Sequence, residues 1–242
     1  PMNKPLDKIG IVFFTGAGMS AESGIPTYRG EGGVWNEYRW EEYACEMAFN
    51  EHPNRVLDFH EMRRIEALKC KPHNGHRIIK KIEKKFRNTT IITQNIDGMH
   101  QRASSKNVIE LHGSIWRLKC TKCRKPPKED IENDKYSNRH CSCGKLLRPD
   151  IIWFQDMLNV DIINLARDKI LNCDYFISIG TSGMVWPAAG FPNVAKNSGA
   201  FCIEINPEVT ELSPIYDEII RDVASQGLQY LIESNSLFKQ VL

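Results

Sequence analysis

The stretch Ile9-Gly10-Ile11-Val12-Phe13-Phe14-Thr15-Gly16-Ala17-Gly18-Met19-Ser20-Ala21-Glu22-Ser23-Gly24-Ile25-Pro26-Thr27-Tyr28-Arg29-Gly30 decides the fold. Its first half is apolar and β-branched, the composition of a strand. The chain then turns at Gly16-Ala17-Gly18 and runs into small residues. Gly16-x-Gly18-x-x-Ala21 is the spacing of a dinucleotide-binding turn. Gly16 permits the tight bend, Gly18 lets backbone approach a pyrophosphate, and Ala21 lets a helix pack closely on the strand. The helix N-terminus then favours phosphate charge. The continuation from Gly24 to Gly30 is too short and too broken for the long helix that usually follows. The turn leads instead into a second loop with an aromatic ring and a cation, as in a site that covers its cofactor and reacts at it.

At 242 residues the chain can build one sizeable core with a small satellite module. A net charge of +2 demands no nucleic-acid partner. No apolar stretch approaches the roughly 18 residues of a membrane span, and no charged leader with a cleavage site is present. Pro1 before Met2 reads as a processing scar, with Met2 the native start. The expectation is a cytoplasmic protein with no membrane partner. Of the eight cysteines, Cys45, Cys70, Cys173 and Cys202 are dispersed, whereas Cys120, Cys123, Cys141 and Cys143 cluster. That distribution reads as a metal site in a reducing compartment rather than a disulfide framework.

Strand-like runs recur at 9–14, 89–93, 107–111, 174–179 and 200–205, and helical periodicity fills 75–86, 159–172 and 187–197, with a late helix near 226–234. The alternation predicts an α/β fold, a Rossmann-like doubly wound parallel sheet. Residues 31–71, with helical spacing from Arg55 to Leu68, and residues 117–148, which carry the clustered cysteines, break the alternation. They are expected to form a smaller inserted zinc-and-helix domain. That leaves 1–30, 72–116 and 149–242 to a discontinuous dinucleotide-binding domain. Each strand ends in a polar cluster: Thr15-Gly16, Thr93-Gln94-Asn95, Leu111-His112-Gly113, Gly180-Thr181-Ser182 and Glu204-Ile205-Asn206. In open α/β sheets such ends converge on one crevice.

Cys120-x2-Cys123 and, after seventeen residues, Cys141-x-Cys143 fit a tetrahedral four-cysteine zinc ribbon. Four protein ligands leave no open position, so the ion is structural. Lys119, Lys122, Arg124, Lys125 and Lys128 offset the thiolate charge. No aromatic platform lies among them, so no direct nucleic-acid contact is expected.

Two segments carry chemistry. Gln94-Asn95-Ile96-Asp97 places amides and a carboxylate at a strand end, groups suited to ribose hydroxyls and a carboxamide. The alternative is an Asx turn without a ligand. His112, before Gly113, sits at another strand end and can take a hydroxyl proton. As one of seven histidines, it is not singled out by its chemistry alone.

One family carries these pieces in this order. The pieces are Gly16-Ala17-Gly18-x-Ser20-Ala21-x-Ser23-Gly24-Ile25-Pro26-x-Tyr28-Arg29, Pro72-x-Asn74-x-His76, Thr93-Gln94-Asn95-Ile96-Asp97-x-x-His100, Leu111-His112-Gly113, the four cysteines, Gly180-Thr181-Ser182 and Ile205-Asn206. The pattern resembles the sirtuins, NAD-dependent protein-lysine deacylases, over nearly the whole chain. The resemblance implies a Rossmann domain, a zinc-and-helix domain and an acyl-lysine tunnel between them. It puts Gly16, Ala17, Gly18, Ser20, Ala21, Gly24, Pro26, Tyr28 and Arg29 in the loop over NAD. Gln94, Asn95, Ile96 and Asp97 would line the nicotinamide and ribose, and Gly180, Thr181, Ser182, Asn206 and Ala224 the adenosine half. His112 takes the general-base position, with Asn95 and Asp97 as its catalytic companions. The implied reaction expels nicotinamide as the acyl oxygen attacks the ribose. It gives free lysine and 2′-O-acyl-ADP-ribose.

Ala44, His60 and Arg63 resemble the acyl-selecting positions of the desuccinylating branch, with His60 where that branch carries tyrosine. Spaced i, i+3, His60 and Arg63 lie on one helical face and are expected to meet one acyl carboxylate, with protonated His60 contributing. Ile152, Trp153 and Phe154 resemble the family's substrate-clamping strand, followed here by Gln155 and Asp156 instead of glycine and glutamate. Plain deacetylation, mono-ADP-ribosyl transfer and a non-catalytic zinc-ribbon adaptor are the competing readings.

Overall fold

The computed structural model describes residues 4–28, 32–123, 125–131 and 133–242. Its main sheet holds six parallel strands: β1 (Ile11–Thr15), β2 (Thr89–Thr93), β3 (Val108–Glu110), β7 (Tyr175–Ile179), β8 (Phe201–Ile205) and β9 (Glu218–Ile220). Their order, β3-β2-β1-β7-β8-β9, reverses direction between β1 and β7. This is the doubly wound topology predicted from the alternation, with its switch point beside the glycine turn.

Every residue of β1 is buried, because both faces of the sheet are covered. Ile11 and Phe13 pack with α6 (Asn74–Lys85) and α10 (Ala224–Ser234), through Ile78, Ile82, Leu228 and Leu231. Val12 and Phe14 face the other way, onto α8 (Val160–Leu171) and α9 (Phe191–Asn197), through Ala166, Ile170, Phe191 and Ala195. Period-two alternation within a wholly apolar strand thus feeds two cores.

A second, three-stranded antiparallel sheet, β5-β4-β6, is made from β4 (Gly113–Cys120), β5 (Lys128–Glu129) and β6 (Leu147–Ile151). The boundaries 72–116 and 149–242 assign the start of β4 and the end of β6 to the dinucleotide domain, but both belong to this smaller sheet. Pro149 in β6 hides the strand from a pattern reading, and the register slips between Ser114 and Leu118 of its partner. Short helices α1 (Gly18–Ala21), α2 (Val34–Glu37), α3 (Trp40–Tyr43), α4 (Glu46–Glu51) and α7 (Met99–Arg102) join the frame.

The longest helix is α5 (Pro53–Lys69), which begins on a proline suited to a first turn. It buries Val56, Leu57 and Phe59 and seats Arg64, fully buried, against Asp130 at 2.8 Å. The Arg64 guanidinium lies over Trp116 and Tyr136, so the helical insertion is bolted to the zinc-bearing sheet. Among the described residues no helix is long and apolar enough to cross a membrane.

Candidate active site

The carboxyl ends of β1, β2, β7 and β8 open onto one cleft of about 1210 Å³, whose opposite wall comes from the small module. At its floor the glycine turn crosses the loop after β7. Gly18 N–H donates to the Gly180 carbonyl at 2.8 Å. A Cβ on Gly16 or Gly18 would come within 2.7 Å of Gly180 atoms. Gly180 itself has φ +59, and its own Cβ would meet Gly18 at 2.5 Å. The missing side chains therefore admit a neighbouring loop, not solely a ligand as expected. Ala21 is exposed rather than packed on a strand, and α1 has only four residues, too few for the helix-end contribution anticipated for phosphate.

Polar groups interlock around the turn. Asn95 donates from Nδ2 to the Gly16 carbonyl at 2.9 Å and to Ser20 Oγ at 3.3 Å. Gln94 Nε2 donates to Thr181 Oγ1 at 2.9 Å, and Asn206 Nδ2 to the Thr181 carbonyl at 3.0 Å. One chain of bonds thus links the ends of β2, β7 and β8. Burial raises the Asp97 carboxyl above its ordinary range, opposed by hydrogen bonds from the Met99 N–H and the Ser20 hydroxyl. Its backbone carbonyl accepts from Trp116 Nε1 at 2.7 Å. His76 and His100 pack edge-on beneath the site, and His100 Nε2 meets Thr15 Oγ1 at 3.0 Å. These two family-pattern histidines support the floor.

His112 ends the turn into β4. Its Nδ1 lies 2.9 Å from the Gln94 carbonyl, which can only accept, so the proton sits on Nδ1 and Nε2 is left as a free base. Burial holds the imidazole below its usual pKa, offset in part by that carbonyl. Gly113 follows because its φ is +78, and a Cβ there would lie 2.0 Å from the Asp150 carbonyl oxygen. The His112 carbonyl in turn accepts from Ile152 N at 2.9 Å, so His112 and the 152–154 segment share a backbone bond.

Ala44, His60, Arg63, Ile152, Trp153 and Phe154 all line the same cleft, as do Gly16, Ala17, Gly18, Ser20, Ala21, Pro26, Tyr28, Ile96, Ser182 and Ala224. Gly24, with φ +94, shapes the loop without lining the cleft, its α-carbon side turned to Cys70. Arg29 lies outside the described residues. Phe154 N–H donates to the Ala44 carbonyl at 3.0 Å, joining the 152–154 segment to the loop before α4.

His60 lines the cleft with Arg63, but its ring already has partners. Its Nε2 accepts from Trp153 Nε1 at 3.1 Å, and the ring donates to the Tyr43 backbone. Burial, with the Arg148 and Arg63 charges, lowers its pKa to about 3. At that pKa the ring is neutral near pH 7, so the protonated form expected to meet an acyl carboxylate is disfavoured. Arg63, by contrast, faces the cleft with its side chain 13% exposed and pairs with Glu66 at 2.8 Å and with the Tyr28 hydroxyl. Glu66 went unread in the sequence, although its i, i+3 spacing from Arg63 was visible. Glu22, which bonds Ser225, had no local signal at a separation of 203 residues.

In the small module the sulfurs of Cys120, Cys123, Cys141 and Cys143 lie within 4.8 Å of one another, with Cys120–Cys143 at 3.6 Å and Cys123–Cys141 at 3.9 Å. Tetrahedral zinc–thiolate bonds require sulfurs about 3.8 Å apart, so the donor set fits one structural zinc ion.

Residues 16–187 match the family model described as Sir2 family. A relative in Aquifex aeolicus, named NAD-dependent protein deacylase, is 44% identical over 93% of this chain and 94% of its own. Another, NAD-dependent protein deacylase 1 of Caldanaerobacter subterraneus subsp. tengcongensis, is 45% identical over 84% of each chain. A crystal structure of a Sir2 homolog–NAD complex superposes with a TM-score of 0.86 at 38% identity, over 98% of this chain and 94% of that one. A Sir2–p53 peptide–NAD+ structure does so at 0.80 and 29% identity, over 94% of each. The chain belongs to the Sir2 family.

Proposed function

We propose that this Sir2-family chain is an NAD-dependent protein-lysine deacylase that accepts acidic acyl groups, succinyl or malonyl, by pairing them with Arg63. The relatives named as deacylases support the reaction class. The acyl reading rests on one observation: a largely buried guanidinium faces the same cleft as His112, a cleft that the small side chain of Ala44 also lines. Arginine suits bidentate carboxylate recognition. A succinyl carboxylate would compete for it with Glu66, whose side chain is 45% exposed and easily turned outward.

Bound NAD supplies a ribose carbon from which nicotinamide can leave. The chain's residues do the rest. The Gly16–Gly18 turn, Gln94, Thr181 and Asn206 cradle the dinucleotide. Asn95 and Asp97 orient its ribose. His112 presents an unprotonated Nε2 to take a hydroxyl proton. Tyr28, Trp35 and Phe154 give the reacting end aromatic, water-excluding walls. The products are nicotinamide, 2′-O-acyl-ADP-ribose and free lysine, and the partners are acylated lysine side chains of proteins. A cytoplasmic location is part of this reading. All eight cysteines are free, four of them gathered in a metal-binding geometry.

Plain deacetylation is the second reading, favoured by the Arg63–Glu66 pair and by the engaged His60 ring. Specificity constants on acetyl-, malonyl- and succinyl-lysine versions of one peptide separate the two. Arg63→Met is expected to lower succinyl-lysine turnover tens- to several-hundredfold, the loss of a charge-assisted pair worth about 2–4 kcal/mol, and to spare acetyl-lysine. Equal losses on both would establish the deacetylase reading instead.

A further inference from the structure

We infer that Glu22 is a positioning residue for the dinucleotide, its carboxylate clasping the cofactor turn to the first turn of α10. The inference goes beyond the acyl chemistry. It rests on the reading that NAD lies between the glycine turn and Ala224.

Glu22 immediately follows α1, and both of its oxygens are engaged by one residue. Ser225 N–H donates to Oε2 at 2.8 Å, and the Ser225 hydroxyl donates to Oε1 at 2.6 Å. Val223, the N-cap of α10, supplies no side-chain bond of its own. Glu22 therefore caps an eleven-residue helix from 203 positions away. A carboxylate there also meets the positive end of the helix. His73 Nε2 lies 4.0 Å from the same carboxylate but is committed to the Met19 carbonyl at 2.6 Å, while its Nδ1 accepts from Gly75 N–H. Both ring nitrogens thus have nearer partners, and Ser225 is the residue that hydrogen-bonds Glu22.

Glu22 and Ala224 both line the cleft. The inner edge of the turn is already held by Gly180 and Asn95. The clasp fixes its far end to the wall that borders the adenosine half. Without it the turn spends part of its time away from the receiving conformation, and apparent affinity falls by the competent fraction. The defect therefore belongs to binding of the dinucleotide and not to the turnover of bound substrate.

The test measures ADP-ribose affinity by calorimetry and KM for NAD at saturating acyl-peptide. Glu22→Ala is expected to raise both the ADP-ribose Kd and the NAD KM about tenfold, with kcat changed less than about twofold. Glu22→Gln, which keeps an oxygen for the Ser225 N–H and an amide for its hydroxyl, is expected to stay within about threefold of wild type. Ser225→Ala should cost about two- to threefold, and should add nothing in the Glu22→Ala background. ADP-ribose binding unchanged in Glu22→Ala would overturn the clasp, as would fully additive losses in the double variant. Wild-type protein that binds neither ADP-ribose nor NAD would overturn the dinucleotide reading itself, a distinct outcome.

Discussion

Trp153 donates its indole N–H to His60 Nε2 at 3.1 Å, with the two rings stacked 5.9 Å apart at 17°. The bond joins α5 to the 152–156 segment of the cleft wall, in a site where burial first, and then the Arg148 and Arg63 charges, lowers the His60 pKa. With a pKa of about 3, the ring stays neutral from pH 6 to 8. The ratio of desuccinylation to deacetylation should therefore show no step from this residue in that range. His60→Phe leaves the Trp153 N–H without its acceptor in a buried site, a loss of about 1–3 kcal/mol measurable by chemical denaturation. A ratio that falls as pH rises through neutrality, and flattens in His60→Tyr, would show that His60 does ionise against the acyl group.

His112 should behave in the opposite sense. It acts only when Nε2 is unprotonated, and burial places its pKa below the usual 6.5. Deacylation should stay at full rate through neutrality and fall only on acidification below that value. His112→Ala should lose about a hundredfold or more in kcat while circular dichroism and zinc content stay unchanged. Near-normal turnover by folded His112→Ala protein would remove it from the general-base role.

The zinc module makes a separable prediction. Its sheet packs on α5 through Arg64 and Asp130, so loss of the ion should loosen the wall that carries Arg63. Cys141→Ser should lower the melting temperature and raise aggregation, with metal analysis falling from one zinc per chain toward none. Chelation of the wild-type protein should reproduce the effect. Active, fully stable protein without zinc would contradict a structural ion.

The sequence made the parallel sheet legible because β1, β2, β7 and β8 are short runs of apolar and β-branched residues ending in polar turns, a strictly local pattern. It did not expose β4 and β6. There Arg117 and Lys119 alternate with buried residues and Pro149 interrupts the partner strand, while a register slip makes them compatible. The cysteine spacing spoke for itself, since a metal converts sequence distance directly into geometry. The cleft wall that carries Arg63 was only half readable. The i, i+3 spacing put His60 and Arg63 on the same helix, but the direction of the His60 bond depends on Trp153, 93 residues away. A local pattern places a side chain on a face and is silent about which partner has already claimed it.

Gln155 holds the left-handed conformation, φ +71, between Phe154 and Asp156 in the cleft wall. The turn is braced from both sides. Asp156 Oδ2 accepts from Trp153 N–H at 3.0 Å and pairs with Arg148 at 2.8 Å, and Phe154 N–H is tied to Ala44. A side chain with a Cβ costs about 1 kcal/mol there relative to glycine, partly offset by the greater freedom of glycine in the unfolded chain. Gln155→Gly should therefore raise stability by a few tenths to about 1 kcal/mol, read as a higher midpoint of unfolding with unchanged slope. The exposed carboxamide lines the cleft beside the clamp, where strain of this kind marks a functional position. The same substitution should accordingly raise KM for acyl-peptide while leaving KM for NAD unaltered. Stabilisation without any change in peptide KM would reduce Gln155 to tolerated strain. Destabilisation would mean that its side chain, and not the Asp156 brace, holds the turn.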